Sequence, residues 1–214
     1  MNGANGQLIS SPKDFLEANV IDNINWLQEA GRPSDSVNNR LVTMANSLKE
    51  ASFDLVRSGT GSGLNRYDFR LCTDRTDNDV PIRAYWCPFI QGNELPGYVD
   101  IPRHNPQYQF LFTPAMNGCA FYVTASPESK EMIRVYHNQH PDSELIKEKI
   151  GSEPISTFSF SEYGTESNPN AFNLMSYHNG EWNYISQPQQ FTVGARGFGV
   201  EYRTGESVRM RPVF

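Results

Sequence analysis

The chain has 214 residues, 38% of them hydrophobic, and its formal net charge at pH 7 is -6. This length can bury one sizeable core, so we expect a single domain over residues 1–214. The acidic charge, and the lack of Lys/Arg runs mixed with aromatic residues, argue against nucleic-acid binding. No stretch approaches the roughly 20 apolar residues that span a bilayer, so no membrane span is expected.

The N-terminal residues and the cysteines exclude further classes. Residues 1–7 lack the basic and apolar segments of a Sec-type signal peptide, which predicts synthesis in the cytoplasm and leaves export by a specialised machine open. Cys72, Cys87 and Cys119 are an odd number of cysteines without C-x-x-C spacing. We therefore expect neither a disulfide framework nor a zinc site. No cofactor is expected, and the chain is expected to be a monomer.

The first fifty residues show helical periodicity. A first helix is predicted from Ser11 to a stop at Gly31, because apolar residues recur at helical spacing between them. A second predicted helix follows Pro33 and carries an apolar stripe over residues 37–48. Two N-terminal helices are thus expected on the outside of the core.

From Arg66 onward, short alternating segments are separated by Gly, Pro or Asn, a pattern typical of strands. One short helix is predicted at residues 142–150. The predicted strands are 67–71, 82–86, 108–112, 120–124, 133–137, 157–160, 174–177, 182–185, 191–193, 199–202 and 208–212. The sequence therefore predicts an α+β domain with a mainly antiparallel β-sandwich core and flanking helices.

One segment has the parts of a thiol-dependent site. Cys119 follows the turn Asn117-Gly118, which suits a tight backbone and can aim the Cys119 N–H at a developing oxyanion. His137 ends a predicted strand and can serve as the base that activates the thiol. Thr113 ends the strand before the turn, where its hydroxyl or carbonyl can fix the imidazole tautomer. Spacing alone is more typical of a buried structural cysteine and a hydrogen-bonded histidine.

The other histidines are weaker candidates. His140 is the rival base, but strand periodicity places it on the opposite face from His137, and Pro141 is expected to end the strand. His104 and His178 lie in polar, loop-like contexts without a carboxylate at metal spacing. No metal site is predicted.

The order Thr, Cys, His resembles that of the cysteine glutamine deamidases: the chemoreceptor deamidase CheD, the cytotoxic necrotizing factor catalytic domain and Burkholderia lethal factor. The turn ending in Cys119 resembles the Ser-Gly-Cys turn of the two toxins, with Asn117 in place of Ser. Thr113 and His137 stand at the family's threonine and histidine, and residues 137–141 (HNQHP) keep the H-x-x-x-P of CheD.

A second motif is similar to Burkholderia lethal factor in particular. Residues 86–92, W-C-P-F-I-Q-G, resemble its W-x-P-aromatic-x-Q-G segment. Together the matching stretches span residues 85–141. The separation of 18 residues between Cys119 and His137 (137 minus 119) exceeds that of the lethal factor and is nearer that of CheD. It implies a longer hairpin around residues 127–130.

The resemblance implies a protein-glutamine deamidase, a bacterial toxin or effector made in the bacterial cytoplasm and secreted or delivered to a host cytosol. Cys119 would be the nucleophile, His137 the base, Thr113 its orienting group, and Asn117 and Gly118 the oxyanion turn. The partner would be a host protein with an exposed glutamine: a translation-initiation helicase or, alternatively, a Rho-family GTPase.

Three alternatives stay open. Transglutamination uses the same residues, and a CheD-like enzyme would act on a bacterial chemoreceptor. The alternative from another class is a non-catalytic β-sandwich binding module, whose aromatic residues would stack on a ligand. For an enzyme, we expect the loops at residues 93–103 and 127–130 to flank the thiol and contact the substrate protein.

Overall fold

A computed structural model describes residues 3–23, 47–61, 63–72, 80–90, 92–194 and 197–214. The N-terminal segment forms two short helices, α1 (Ala4–Ser10) and α2 (Pro12–Ala18), followed by strand β1 (Asn19–Asp22). Pro12 starts α2 at a position where a missing N–H costs nothing.

The first predicted helix is wrong at residues 19–22, which form a strand, and its remainder at residues 24–31 lies outside the described residues. Val20 and Ile21 are β-branched and fully buried, and they lie in β1, which pairs in parallel with the later strand β3 (Leu64–Leu71). Strand pairing and burial therefore override the helical periodicity of this segment. The second predicted helix lies outside the described residues, apart from its end at residues 47–48.

Most of the described chain forms two sheets. The larger sheet contains β1, β2 (Glu50–Gly61), β3 (Leu64–Leu71), β4 (Ile82–Trp86), β6 (Phe110–Phe112), β7 (Met116–Asn117), β11 (Asn170–His178), β12 (Glu181–Gly194), β13 (Gly197–Tyr202) and β14 (Arg209–Pro212). The smaller sheet has the order β10 (Ser156–Phe158), β8 (Ala120–Ala125), β9 (Met132–Asn138) and β5 (Gly97–Pro102). Two further helices, α3 (Glu144–Ile150) and α4 (Phe160–Tyr163), complete the described elements.

The pairing is mainly antiparallel. Among the described strands, the parallel pairs are β1 with β3 and β4 with β6. The larger sheet has the order β1-β3-β2-β4-β6-β11-β12-β13, and its end strands β1 and β13 contact each other, so it is nearly closed. The prediction of an α+β domain with a sandwich-like, mainly antiparallel core is confirmed.

Each face of the larger sheet has its own core. One core lies between the two sheets and includes Leu111 and Met175 from the larger sheet and Phe121 and Val135 from the smaller. The other core fills the concave side of the larger sheet beneath α1 and α2. Its centre is an aromatic cluster of Phe53, Phe69, Phe112 and Phe172. Side chains along each central strand alternate between the two cores.

Candidate functional site

Cys119 and His137 lie at one end of the β8–β9 hairpin. Phe121 of β8 pairs with His137 of β9, and Cys119 precedes Phe121 by two residues. Cys119 and Phe121 belong to the core between the sheets, which places Cys119 and His137 on the same face. Such diagonal neighbours on antiparallel strands have Cα atoms roughly 7 to 8 Å apart. The strand register thus places Cys119 and His137 at neighbouring positions on one face, and no hydrogen bond joins these two described side chains.

Thr113 contacts the imidazole. Its hydroxyl donates to the Cys87 carbonyl oxygen at 2.8 Å and lies 2.6 Å from Nδ1 of His137. Because the hydroxyl has one proton and the carbonyl takes it, Nδ1 must carry a proton and donate to Thr113. In the neutral ring, Nε2 is then the atom with the free lone pair. Thr113 and Cys87 together fix the tautomer that a general base requires.

His137 is fully buried and neutral. Burial lowers the pKa of His137 from its ordinary value to about 3. Phe89 covers the ring edge-to-face, with the ring centroids 5.1 Å apart. Within the described part of the chain, Nε2 has no hydrogen-bond partner. The imidazole therefore offers a desolvated proton acceptor on the face that also contains Cys119.

The turn before Cys119 has the geometry that its glycine allows. Gly118 has φ +87, in the left-handed region that favours glycine, and an added Cβ would meet open space there. Tyr163 of α4 donates its hydroxyl proton to the Cys119 carbonyl oxygen at 2.7 Å, which fixes the end of the turn. Asn117 is exposed and pairs with Asn170 of β11.

Cys119 is largely enclosed, with 8% of its surface exposed. Burial raises the pKa of the Cys119 thiol, and a backbone hydrogen bond from Asn117 acts in the opposite direction. The thiol and the imidazole are consequently both neutral at rest. Attack on a substrate would require the proton to move from sulfur to Nε2 as the bond to carbon forms.

The other thiols have different surroundings. Cys87 is fully buried, with its sulfur 3.4 Å from the Val135 carbonyl oxygen, and burial raises its pKa to about 12. Burial also raises the pKa of Cys72 to about 11. Cys87 contributes to the site through its backbone carbonyl, which binds Thr113, rather than through its thiol.

A shallow opening lies beside the Cys119 turn. It has a volume of about 370 Å³. Its lining is polar and comprises Asn93, Gly118, Gln139, His140, Pro141, Asp142 and Ser143. Gly118, the residue before Cys119, lines this opening, whereas Cys119 and His137 do not.

The remaining histidines lie apart from this arrangement. His140, the rival base, is exposed, as are His104 and His178. His140 donates its backbone N–H to the Asn138 side chain at 3.0 Å. Among the described residues, no group of His, Cys, Asp and Glu side chains could hold a metal ion. No helix in the described ranges is long and apolar enough to cross a membrane.

The expectation that the loop at residues 127–130 flanks the thiol is wrong. This loop connects β8 to β9, whereas Cys119 precedes β8 and His137 lies near the end of β9. In an antiparallel hairpin, these positions lie at the end opposite the turn. The six residues of β8 separate them by about 20 Å. Gly97, at the start of β5, does lie beside the site, because it pairs with His137.

Sequence reasoning missed several residues that build the site. The Cys87 carbonyl and the Phe89 ring come from the W-C-P-F-I-Q-G segment, whose resemblance marked the segment but not these contacts. Tyr163 is 44 residues from Cys119 in sequence, and no local pattern connects the two. Asn173 of β11 lies beside Thr113 in the sheet, one residue before the predicted strand at residues 174–177.

Comparison with known proteins supplies the family. No curated protein matches the chain. The profile of the Mcf1 activator-binding domain, from a toxin-related family, matches residues 4–210. This match covers nearly the whole chain and every residue of the site described above. The chain therefore belongs to the Mcf1 activator-binding domain family.

Proposed function

We propose that this toxin-related domain is a protein-glutamine deamidase that uses Cys119 as nucleophile and His137 as general base. The main observation that supports this proposal is the contact of the Thr113 hydroxyl with both the Cys87 carbonyl oxygen and Nδ1 of His137. It leaves Nε2 unprotonated, buried and without a partner in the described chain, on the face that Cys119 shares. A purely structural histidine would more commonly have both ring nitrogens paired.

The chemistry follows from this arrangement. The Cys119 sulfur attacks the carboxamide carbon of a glutamine side chain, and its proton moves to Nε2 of His137. The imidazolium then gives that proton to the amide nitrogen, the C–N bond breaks, and ammonia leaves a thioester. Water attacks the thioester and transfers a proton through the same nitrogen, and the C–S bond breaks. The products are glutamate and the restored thiol.

The proposed substrate is a side chain on another protein. The name of the family describes a domain that binds an activator, which supports a protein partner for this chain. The polar opening at Gly118 is shallow, so a projecting glutamine would approach Cys119 through it while the rest of its protein stays outside. A host translation-initiation helicase is the first candidate, a Rho-family GTPase the second, and transglutamination uses the same nucleophile.

A second candidate function is binding without catalysis. The family name favours it, and so does the resting state of the site, because the raised pKa of Cys119 and the lowered pKa of His137 disfavour a preformed thiolate–imidazolium pair. In that case Thr113, His137 and Cys119 would stabilise the interlayer core beside a protein-binding surface.

Mass spectrometry separates the two functions. A eukaryotic cell lysate is treated with the wild-type chain, with Cys119→Ser, or with the matched control Cys72→Ser, and glutamines are searched for a gain of about 1 Da. If the protein is a deamidase, wild type and Cys72→Ser should convert the same glutamine and Cys119→Ser should not. The melting temperature of Cys119→Ser should stay within a few degrees of that of wild type. The same changes in all three samples, or in none, would refute the deamidase and favour the binding domain.

A further inference from the structure

A second group of polar side chains lies beside the site, on the same face of the larger sheet. Asn173 of β11 is 1% exposed, and neither Nδ2 nor Oδ1 has a hydrogen-bond partner among the described residues. Phe112 pairs with Leu174, so Thr113, one residue further along, lies opposite Asn173. On its other side Asn173 pairs with Ser186 of β12, whose buried hydroxyl likewise has no partner in the described ranges.

Strand periodicity shows which way Asn173 points. Ala171 and Met175, two residues to either side of it, belong to the core between the sheets. Cys119 belongs to the same core. Asn173 therefore projects into the layer that contains the thiol, at the level of Thr113.

The chemistry of Asn173 fits one kind of ligand well. A buried amide with both atoms unpaired is costly, and a primary carboxamide satisfies both atoms at once. The ligand carbonyl accepts from Nδ2, and its N–H donates to Oδ1. A carboxylate also accepts from Nδ2, but it has no proton for Oδ1, so two acceptors face each other. The side chain thus distinguishes glutamine from glutamate.

We propose that Asn173, with Ser186 next to it, forms the subsite that holds the carboxamide of the substrate while Cys119 attacks. The proposal rests on the deamidase function above and adds the group that selects the amide. When ammonia has left and water has added, the product carboxylate no longer donates to Oδ1. The same side chain that binds the substrate therefore favours release of the product.

Two alkylating reagents that differ only in this group test the subsite. Iodoacetamide carries a carboxamide and iodoacetate a carboxylate; each forms an S–C bond, releases iodide, and leaves the thiol proton to solvent or base. The full chain is treated with each at pH 8.5, and labelling of Cys119 is timed by peptide mass spectrometry, with Cys72 as internal reference. The quantity measured is the amide-to-acid rate ratio at Cys119 divided by that at Cys72.

In the wild type we expect this ratio to exceed one, and Asn173→Leu should lower it about tenfold, the effect of losing hydrogen bonds of ordinary strength. If Asn173→Leu does not fold, Asn173→Ala replaces it, and the same decrease in the ratio is expected. Ser186→Ala should lower the ratio less. Asn170→Leu is the matched control, because Asn170 is equally buried on β11 but bonds to Gln189 on the opposite face. It should leave the ratio unchanged.

The outcomes distinguish the subsite from the proposed function. If folded Asn173→Leu keeps the wild-type ratio and changes only the melting temperature, Asn173 is structural and the subsite is refuted. Cys119-dependent deamidation in the lysate experiment would still support the enzyme in that case. If Cys119 of the wild type reacts with neither reagent, the subsite and the enzyme are both refuted.

Discussion

The Thr113 hydroxyl lies 2.6 Å from Nδ1 of His137 and donates a hydrogen bond to the Cys87 carbonyl oxygen. A single hydroxyl between an obligatory acceptor and a ring nitrogen determines where the ring carries its proton. This relationship joins three strand ends, those of β4, β6 and β9, at one buried point. It orients His137 without any carboxylate, so the imidazole stays neutral and Nε2 keeps its lone pair free.

Replacing Thr113 by valine tests this relationship. Thr113→Val keeps the shape of the side chain but leaves Nδ1 and the Cys87 carbonyl without the hydroxyl. We expect the free energy of unfolding to fall by about 1 to 3 kcal/mol, because buried polar groups lose their partner. Cys119-dependent deamidation should fall about tenfold or more, because the tautomer is no longer fixed.

The control for this change is Thr113→Ser, which keeps the hydroxyl and should retain most of the activity and stability. Chemical denaturation and lysate mass spectrometry measure the two quantities. Full activity in Thr113→Val would mean that the hydroxyl does not orient the base.

The burial of His137 predicts a dependence of stability on acidity. Its pKa in the folded chain is about 3, below the ordinary value of 6.5, so the folded state favours the neutral ring. The stability that this preference contributes is complete above pH 6.5 and is lost as the pH falls toward 3. The loss amounts to about 1.4 kcal/mol per pH unit within that window.

The comparison of variants isolates this contribution. Between pH 6.5 and 3, the free energy of unfolding of His137→Gln should depend less steeply on pH than that of wild type, whatever its value at pH 7. In His140→Gln, which changes an exposed histidine, the free energy of unfolding should change with pH at the same slope as in wild type. Urea denaturation at several pH values measures the slopes. Equal slopes for wild type and His137→Gln would show that His137 titrates normally in the folded chain.

The later strands and the parts of the site were predictable from local sequence, for physical reasons. Strands such as β4 and β9 alternate apolar side chains and are bounded by turn residues, so their pattern is visible in isolation. The turn at Gly118 needs a positive φ, which glycine indicates directly. Thr113 and His137 lie at strand ends, and a contact between the Thr113 hydroxyl or carbonyl and the imidazole is expected both from these positions and from the family resemblance.

What local sequence could not supply depends on distant pairing. Strand β2 (Glu50–Gly61) carries Arg57, Ser58 and two glycines, and it is a strand because β3 and β4 pair with it on both sides. The β1 segment is extended because β3 pairs with it and because Gln187, 166 residues away, accepts a hydrogen bond from the Ile21 backbone N–H. The position of Asn173 beside Thr113 could not be predicted from local sequence, because it depends on the register between β11 and β6.

Gly97 predicts a packing constraint beside the site. It pairs with His137, and a Cβ added to it would lie 1.9 Å from the Pro88 carbonyl oxygen. Gly97→Ala must therefore push β5 away from the segment that carries Cys87 and Phe89. We expect a loss of about 2 kcal/mol or more in the free energy of unfolding, as for other overpacked cores.

A matched glycine shows whether the clash is specific. In Gly61→Ala the new Cβ would lie 3.3 Å from Cγ of Glu201, a flexible side chain that can move, so the loss should be much smaller. Thermal unfolding of both variants measures the difference. If the two changes cost the same, the close approach of β5 to Pro88 is not what requires glycine at position 97.

The last prediction concerns the size of the substrate. Cys119 is 8% exposed and His137 is fully buried, and the opening beside Gly118 is polar and shallow. Free glutamine would bring two charged groups to this desolvated site, and burying unpaired charge is expensive. A glutamine within a folded protein brings no such charges, and the surrounding contacts supply binding energy that free glutamine lacks. We therefore expect negligible hydrolysis of free glutamine and of short glutamine peptides, and efficient turnover of an intact protein.

Two measurements test this expectation. Ammonia release measures the hydrolysis of free glutamine. Mass spectrometry measures conversion of the initiation helicase and of a Rho GTPase after incubation with wild type or Cys119→Ser. Rapid hydrolysis of free glutamine would contradict the prediction and the toxin-type substrate. Conversion in neither protein would exclude those two substrates and leave the lysate experiment to find another.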